Sequence, residues 1–484
     1  MTVPAHPDPV TACSGACSCH PSTRAGWGQR AGARIEAVAV PLIRYLPALH
    51  ALMFVAFLAL IIGPLFAPPV PPQTSLWRDL PSLSNYLLWG LWFPLVFLSV
   101  IATGRSWCGI FCPMGAAAEW GNRLGPQWAI PGWLRWQGTP VVSFLIITIL
   151  GQTVGVRDHP EAVAEIFGGT MLAAILCGFL YGRRKRAWCR HACPIGLLLG
   201  VFSRLGAVQF APRTLLPGGE GYSEKGVCPT MIDLARKSES RHCIECFRCV
   251  TPSSRGGIHL ELRAPGAEIE TIRHHHANPW EVWFLFIGTG VALGGFLWLV
   301  LPQYQDWRQM LGESAVDFGW TGLLDSGPWW LMSVHPDRNE VFLWLDFVMI
   351  VGFMLGCALV SALVLGGLTA LSAWVAARCG GDGGWRRGFV ELGYQYAPVA
   401  MVSLVVGLGG KLFESLATGP LGPEGVQIVK GALFAAGLVW SIRLGERILA
   451  AQGLSPRGRS LALLPGIVGS LAVGVGWWPA IFGL

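Results

Sequence analysis

The stretch "RSWCGIFCPMG", Arg105–Gly115, follows a long apolar run, and a second version, "RAWCRHACPIG", Arg186–Gly196, follows another. Both read Trp-Cys-x-x-x-Cys-Pro-x-Gly. A thiol motif repeated where hydrophobic segments end marks those segments as the unit of the fold. The unit is a helix pair closed by two cysteines, built twice.

Composition says what solvates these helices. The 484-residue chain is 52% hydrophobic and 13% charged, whereas a soluble domain is about 25% charged. Apolar runs of about 20 residues are long enough to cross a bilayer. The fold class is therefore an all-α polytopic membrane protein. It has about nine transmembrane helices, near 46–67, 84–103, 138–156, 163–182, 280–301, 344–370, 393–413, 425–442 and 461–481. The 23 Trp residues fit interfacial belts.

Basic residues alternate between loops: Arg105, Arg123 and Arg135 after the second span, Arg183–Arg186 after the fourth, Arg378, Arg386 and Arg387 after the sixth, and Arg443, Arg447, Arg457 and Arg459 after the eighth. Positive charge marks cytoplasmic loops. The chain is therefore expected in a bacterial inner (cytoplasmic) membrane, N-terminus inside and C-terminus outside. The net charge of +7 belongs to these loops, and no nucleic-acid partner is expected. The first residues lack the apolar core of a secretory signal.

Four regions follow: a cytoplasmic Cys-containing tail (1–40), a four-helix membrane domain with both CxxxCP motifs (41–204), a cytoplasmic ferredoxin-like segment (205–275), and a membrane domain of about five helices (276–484).

The ferredoxin-like segment carries the clearest chemistry. Cys243, Cys246 and Cys249 make C-x2-C-x2-C, and Cys228-Pro229 precedes them. Two-cluster ferredoxins use C-x2-C-x2-C-x3-C-P twice, the fourth cysteine of each run serving the other cluster. Here Cys228-Pro229 is the remnant of a first run, and Ser253 stands where the second run would have its fourth cysteine. The set Cys228, Cys243, Cys246 and Cys249 reads as ligands of one [4Fe–4S] cluster. A closed zinc site is the alternative, and the compact triple disfavours it.

Cys108 with Cys112, and Cys189 with Cys193, would share one face if the motif is helical. Pro113 and Pro194 suit a helix start or break, and Trp107 and Trp188 suit the membrane interface. Four converging thiols would hold a second iron–sulfur cluster, bind a soft metal such as copper or zinc, or act as redox dithiols. Free thiols in structural turns are the plain alternative. In the tail, Cys13, Cys17, Cys19 and His20 cluster soft ligands that suit transient Cu(I) or Zn binding, and incidental cysteines in a loose tail are the preferred reading. Cys177 and Cys357 read as packing residues, and Cys379 as a loop residue.

With these residues in place, the chain resembles the NapH/NosR/CcoG group of membrane-bound polyferredoxins over roughly residues 40–275. The resemblance implies electron transfer between the membrane and a redox partner, through Cys228, Cys243, Cys246 and Cys249 and the motif cysteines. The chain departs from the group in completing one ferredoxin cluster rather than two, and in its last five helices.

Those five helices contain no histidine within a span, which excludes a bis-His haem there. Quinone is an expected cofactor candidate, with Glu391, Tyr394, Tyr396, Lys411 and Glu414 near span ends; snorkelling is the preferred reading of these residues. His274–His276 read as a solvated basic run. The loop 302–341 is a candidate dock for an extracytoplasmic partner, with a Trp-rich interfacial cap as the equal alternative.

The expected function is an iron–sulfur relay between the quinone pool, or a cytoplasmic reductant, and a respiratory redox partner. Copper-centre assembly and redox sensing are the alternatives. No G-x-S-x-G, P-loop or H-E-x-x-H constellation is present.

Overall fold

The computed structural model describes residues 26–67, 78–213, 215–217, 221–250 and 257–483. The tail cysteines and Ser253 lie outside them. Among the described residues, eight helices are long and apolar enough to cross a membrane: Trp27–Phe66, Leu80–Thr103, Pro160–Leu180, Pro279–Val300, Trp344–Arg378, Gly384–Leu408, Gly422–Ala451 and Pro456–Gly476. The chain is an all-α, multi-pass membrane protein.

The third expected span differs. Its helix, Thr139–Thr153, has 15 residues, about 22 Å at 1.5 Å per residue, short of a hydrocarbon core of about 30 Å. A turn at Val154–Asp158 takes up the rest of the apolar run, which composition alone does not separate from helix.

The first helix begins earlier than expected, inside the supposed tail. Trp27–Leu42 lies against a two-stranded antiparallel sheet of Val208–Pro212 and Ile258–Leu262, in which Phe210 pairs with Leu260. Gly28 and Gly32 allow the approach, because a Cβ on either would lie 2.0 Å from the carbonyl oxygens of Leu262 and Leu260. Glu36 accepts the Leu260 amide at 3.2 Å. The first helix thus packs on the sheet of the cysteine-bearing segment.

Each motif leads into a short helix, Pro113–Leu124 and Pro194–Ser203. The first packs closely on Pro160–Leu180, where Gly178 faces the Ala118 carbonyl. Asn122 donates to the carbonyls of Gly178 (2.7 Å), Tyr181 (3.1 Å) and Gly182 (2.5 Å), satisfying groups that the helix end leaves open. The second is buried almost along its whole length. One apolar core joins Phe97 and Phe202 of the first half to Phe284, Met354 and Val405 of the second. Cys357 packs against Gly290 and Gly294 there, and Cys177 sits in a smaller cluster with Ala118 and Trp188. Both are the packing residues expected.

Candidate iron–sulfur centres

The two motifs fold alike, and not as one helical face. Trp107–Phe111 forms a wide turn in which the Cys112 amide donates to the Trp107 carbonyl at 2.8 Å. In the second motif the Cys193 amide reaches the Trp188 carbonyl at 2.9 Å. The chain then extends at Cys112 (φ −69°, ψ 114°) and at Cys193 (φ −66°, ψ 119°), and a new helix starts at the following proline. Proline suits this first helical position because its missing N–H would be unpaired there anyway. The Cys112 and Cys193 sulfurs cap these helices, accepting from the Gly115 amide at 3.4 Å and the Gly196 amide at 3.2 Å. Two helix N-termini, each with partial positive charge, therefore face the thiols. Trp188 is buried rather than interfacial, and Trp107 donates to Ser99 at 2.6 Å.

All four motif cysteines border one apolar cavity of about 250 Å³. Burial pushes the Cys112 thiol up to about 11 and Cys193 up to about 12, and the charges of the other motif cysteines push further. Cys189 is raised well above its usual value by burial and by Cys193, Cys112 and Cys108. Iron binds thiolates, so loading these thiols expels protons. Two fully buried arginines supply the compensating charge. Each precedes the first cysteine of its motif by three residues, and each crosses to the other motif. Arg186 donates to the Cys108 carbonyl at 3.0 Å. Arg105 approaches Cys108 Sγ at 3.8 Å, and a Cβ on Gly196 would meet its guanidinium at 3.3 Å. Burial opposes the charge on both, yet the neighbouring cysteines, with Glu119 beside Arg186, hold them above the usual arginine range.

The second cysteine set also comes together. Cys228, Cys243 and Cys249 join one small core with Phe210 and Ile232. Burial raises Cys243 to about 12 and lifts Cys246 and Cys249, and each of these three also feels Cys228. The loop is bent through left-handed residues, Met231 (φ 57°), Glu245 (φ 54°) and Phe247 (φ 59°). Non-glycine residues adopt such angles rarely, and they concentrate at functional sites.

The two sets adjoin. Gly109, inside the first motif, lies so close to the loop that a Cβ would sit 2.1 Å from the Ile244 carbonyl and 3.0 Å from the Cys246 amide. Arg186 interacts electrostatically with Cys189 of one set and Cys246 of the other. Glu119 ties the junction, bonding Arg186 at 3.0 Å and Arg248 at 2.7 Å. The basic run also has a structural role. The Arg186 amide donates to the Pro229 carbonyl at 2.8 Å, and the Lys185 ammonium donates to the Cys228 carbonyl at 3.0 Å.

Four thiolates around zinc at about 2.3 Å sit about 3.8 Å apart. Among the described residues, the single group of three or more metal-ligating side chains with donor atoms within 4.8 Å of one another contains no cysteine. The cysteine sets, with amide donors, helix termini and buried arginines around them, fit an iron–sulfur cluster.

Sequence reasoning missed the polar junction that fixes the lobe. Arg204 is fully buried and binds Glu239 (2.7 Å), Glu268 (2.8 Å) and Glu281 (2.9 Å). Arg263 binds Glu268 at 2.7 Å, Arg241 binds Glu281 at 2.6 Å, and Tyr394 donates to Glu281. Helix Pro194–Ser203, the cysteine lobe and the second half of the membrane body meet here. A lone arginine after "LLLGVFS" and a glutamate inside an apolar helix were the available signals. Glu391, Tyr394 and Tyr396 do not snorkel. All three are buried, and Glu391 binds Arg387 at 2.8 Å and Gln452 at 2.9 Å. Lys411 and Glu414 do lie exposed, paired at 3.5 Å. His274 and His276 are exposed, while His275 is half-buried, and His275 and His276 each hydrogen-bond to Ser238.

Residues 86–131 and 166–211 each match the family described as "4Fe-4S binding domain". These segments hold Cys108 with Cys112 and Cys189 with Cys193, and they end before Cys228. The matched segments are thus of a ferredoxin-like, iron–sulfur-binding kind, and they sit in a chain with a multi-pass membrane body. It is similar to the methylamine utilization ferredoxin-type protein MauN of Paracoccus denitrificans, with 28% identity over 149 residues, 28% of this chain and 49% of MauN. It is also similar to two proteins of Methanocaldococcus jannaschii. Uncharacterized protein MJ0749 is 26% identical over 171 residues, 34% of this chain and 66% of that one. Uncharacterized protein MJ0750 is 24% identical over 180 residues, 34% of this chain and 74% of that one. The chain spans less than two thirds of MJ0749 and about half of MauN. No solved structure matches.

Proposed function

We propose that this protein carries electrons through two adjoining [4Fe–4S] centres, one held by Cys108, Cys112, Cys189 and Cys193 and the other by Cys228, Cys243, Cys246 and Cys249. The observation that carries the reading is the contact of Gly109 with the Cys246 loop, which sets the two cysteine groups side by side with Arg186 between them. The clusters would supply one-electron steps. The protein supplies thiolates, amide donors and buried cations.

The membrane partner in this reading is a quinol. The apolar cavity beside the motif cysteines is walled by Trp89, Trp92, Phe93 and Phe97, with Gln152, Arg157 and Ser403 as polar groups along it. Such a cavity suits an apolar ring with a few polar atoms. A quinol would leave as quinone, giving two electrons singly to the motif centre and releasing two protons. The second centre would pass the electrons to a redox partner. On the positive-inside rule, both centres would lie on the cytoplasmic side of a bacterial inner membrane, in a role like that of the NapH/NosR/CcoG group. The copper alternative rests on the soft motif thiols alone.

A redox titration followed by EPR tests the reading. Both centres should reduce reversibly within the range open to iron–sulfur proteins, about −700 to +450 mV, and a short-chain quinol should reduce at least one of them. A chain whose iron does not titrate would overturn the electron-transfer role, and reduction by dithionite alone would remove the quinol.

A further inference from the structure

At the far end of helix Pro160–Leu180 from the cysteines, a second polar cluster remains unused by this relay. His159 is buried at the N-cap of that helix, about 32 Å from its other end by helix rise. His335 belongs to a small hairpin, Val334–His335 with Glu340–Val341, in the other half of the protein. The Ser333 amide pins this hairpin to the Thr153 carbonyl at 2.8 Å. The two imidazoles stack with ring centres 3.8 Å apart. His159, Glu161 and His335 each offer one donor atom within 4.8 Å of the others.

Hydrogen bonds fix the tautomer of His159. Its Nε2 lies 3.1 Å from Glu340 Oε2, and the other Glu340 oxygen accepts from the Ser333 hydroxyl at 2.6 Å. A carboxylate accepting from one ring nitrogen leaves the other with a free lone pair. This is the support that metal-binding histidines characteristically have. The Nδ1 lone pair faces a cation already. Arg338 Nη1 stands 2.7 Å from it, and Arg338 Nη2 stands 3.3 Å from Glu161. Arg338 is an exposed residue on a turn followed by left-handed Asn339 (φ 55°), so it can swing aside without disturbing the core.

We infer that His159, Glu161 and His335 form a site for a divalent first-row metal cation, with Arg338 as the exchangeable cation that fills its place when no metal is bound. Two imidazoles and one carboxylate suit Zn²⁺ or Cu²⁺. The three ligands leave a coordination position open. The metal would join the helix of the first half to the hairpin of the second.

Zinc titration of the full-length protein in detergent, with its cysteines occupied by iron–sulfur centres, tests this. Wild-type protein should bind one zinc per chain more than the His335→Ala variant. Arg338→Ala should bind that zinc about tenfold more tightly, because a like charge at the site is gone. Cu²⁺ used as the probe should show nitrogen splitting in its EPR spectrum that His335→Ala reduces. Equal zinc stoichiometry in wild type and His335→Ala overturns the site. If His335→Ala fails to fold, Arg338→Ala decides alone, and an affinity no tighter than wild type overturns the site.

Discussion

Arg186 of the second motif donates to the backbone carbonyl of Cys108 in the first, at 3.0 Å. This bond crosses the repeat, and its donor is buried completely. A guanidinium so placed stabilises negative charge on a nearby cluster, and more so in the reduced state. Arg186→Gln should therefore lower the midpoint potential of the motif centre by on the order of 50 mV, where about 59 mV is tenfold for one electron. Arg186→Lys keeps the charge and should shift it less. EPR-monitored titration of both variants reads the difference. A potential unmoved in Arg186→Gln would show that Arg186 is structural only.

Gly109 has room for nothing beyond hydrogen against the Ile244 carbonyl. Gly109→Ala should displace the Cys246 loop and cost about 1–3 kcal/mol of overpacking. The expected outcome is slower electron passage between the centres, read by freeze-quench EPR, with the motif centre still assembled.

Arg204 bridges the buried Glu239, Glu268 and Glu281, with Arg263 and Arg241 supplying further positive charge. Removing one partner of a buried ion pair costs about 3–5 kcal/mol. Arg204→Met should lower the thermal midpoint by several degrees and loosen the cysteine lobe. Thermal unfolding in detergent and protease sensitivity after Ser203 report this.

The same junction gives a pH dependence. Glu268 is buried, which opposes its charge, but Arg263 and Arg204 hold its carboxyl down to about 2 from 4.5. A depressed carboxylate gives stability that is complete above its unfolded value and is lost as pH falls through the folded one. Stability of the lobe should therefore hold above pH 4.5 and fall between 4.5 and about 2. Arg263→Gln should move that loss to higher pH, as seen by fluorescence during acid titration.

The cysteines and the membrane body were legible because local signals carry them: repeated motifs, prolines after the second thiol, and long apolar runs. Pro113 and Pro194 marked helix starts correctly. The π-type turn before each was not legible, since an i, i+4 spacing of cysteines suits an ordinary helix equally well. Contacts between distant segments were invisible. Nothing in the sequence near Arg204 names Glu281, and nothing near Gly109 names Cys246. Glu391 and Tyr394 looked interfacial because their partners, Gln452 and Glu281, lie on other helices. The ferredoxin spacing drew attention to Cys228 and its companions, whereas the family match falls on the CxxxCP segments. Only the fold shows that the two cysteine groups adjoin.

In the proposed function both cysteine sets hold clusters. The most direct measurement is iron and acid-labile sulfide per chain in anaerobically purified protein, for wild type, Cys112→Ser with Cys193→Ser, and Cys243→Ser with Cys246→Ser. Two [4Fe–4S] centres predict about eight iron and eight sulfide in wild type, and about four of each in either variant. About four in wild type, unchanged in Cys112→Ser with Cys193→Ser, would contradict the account and leave the repeated motif without a cluster.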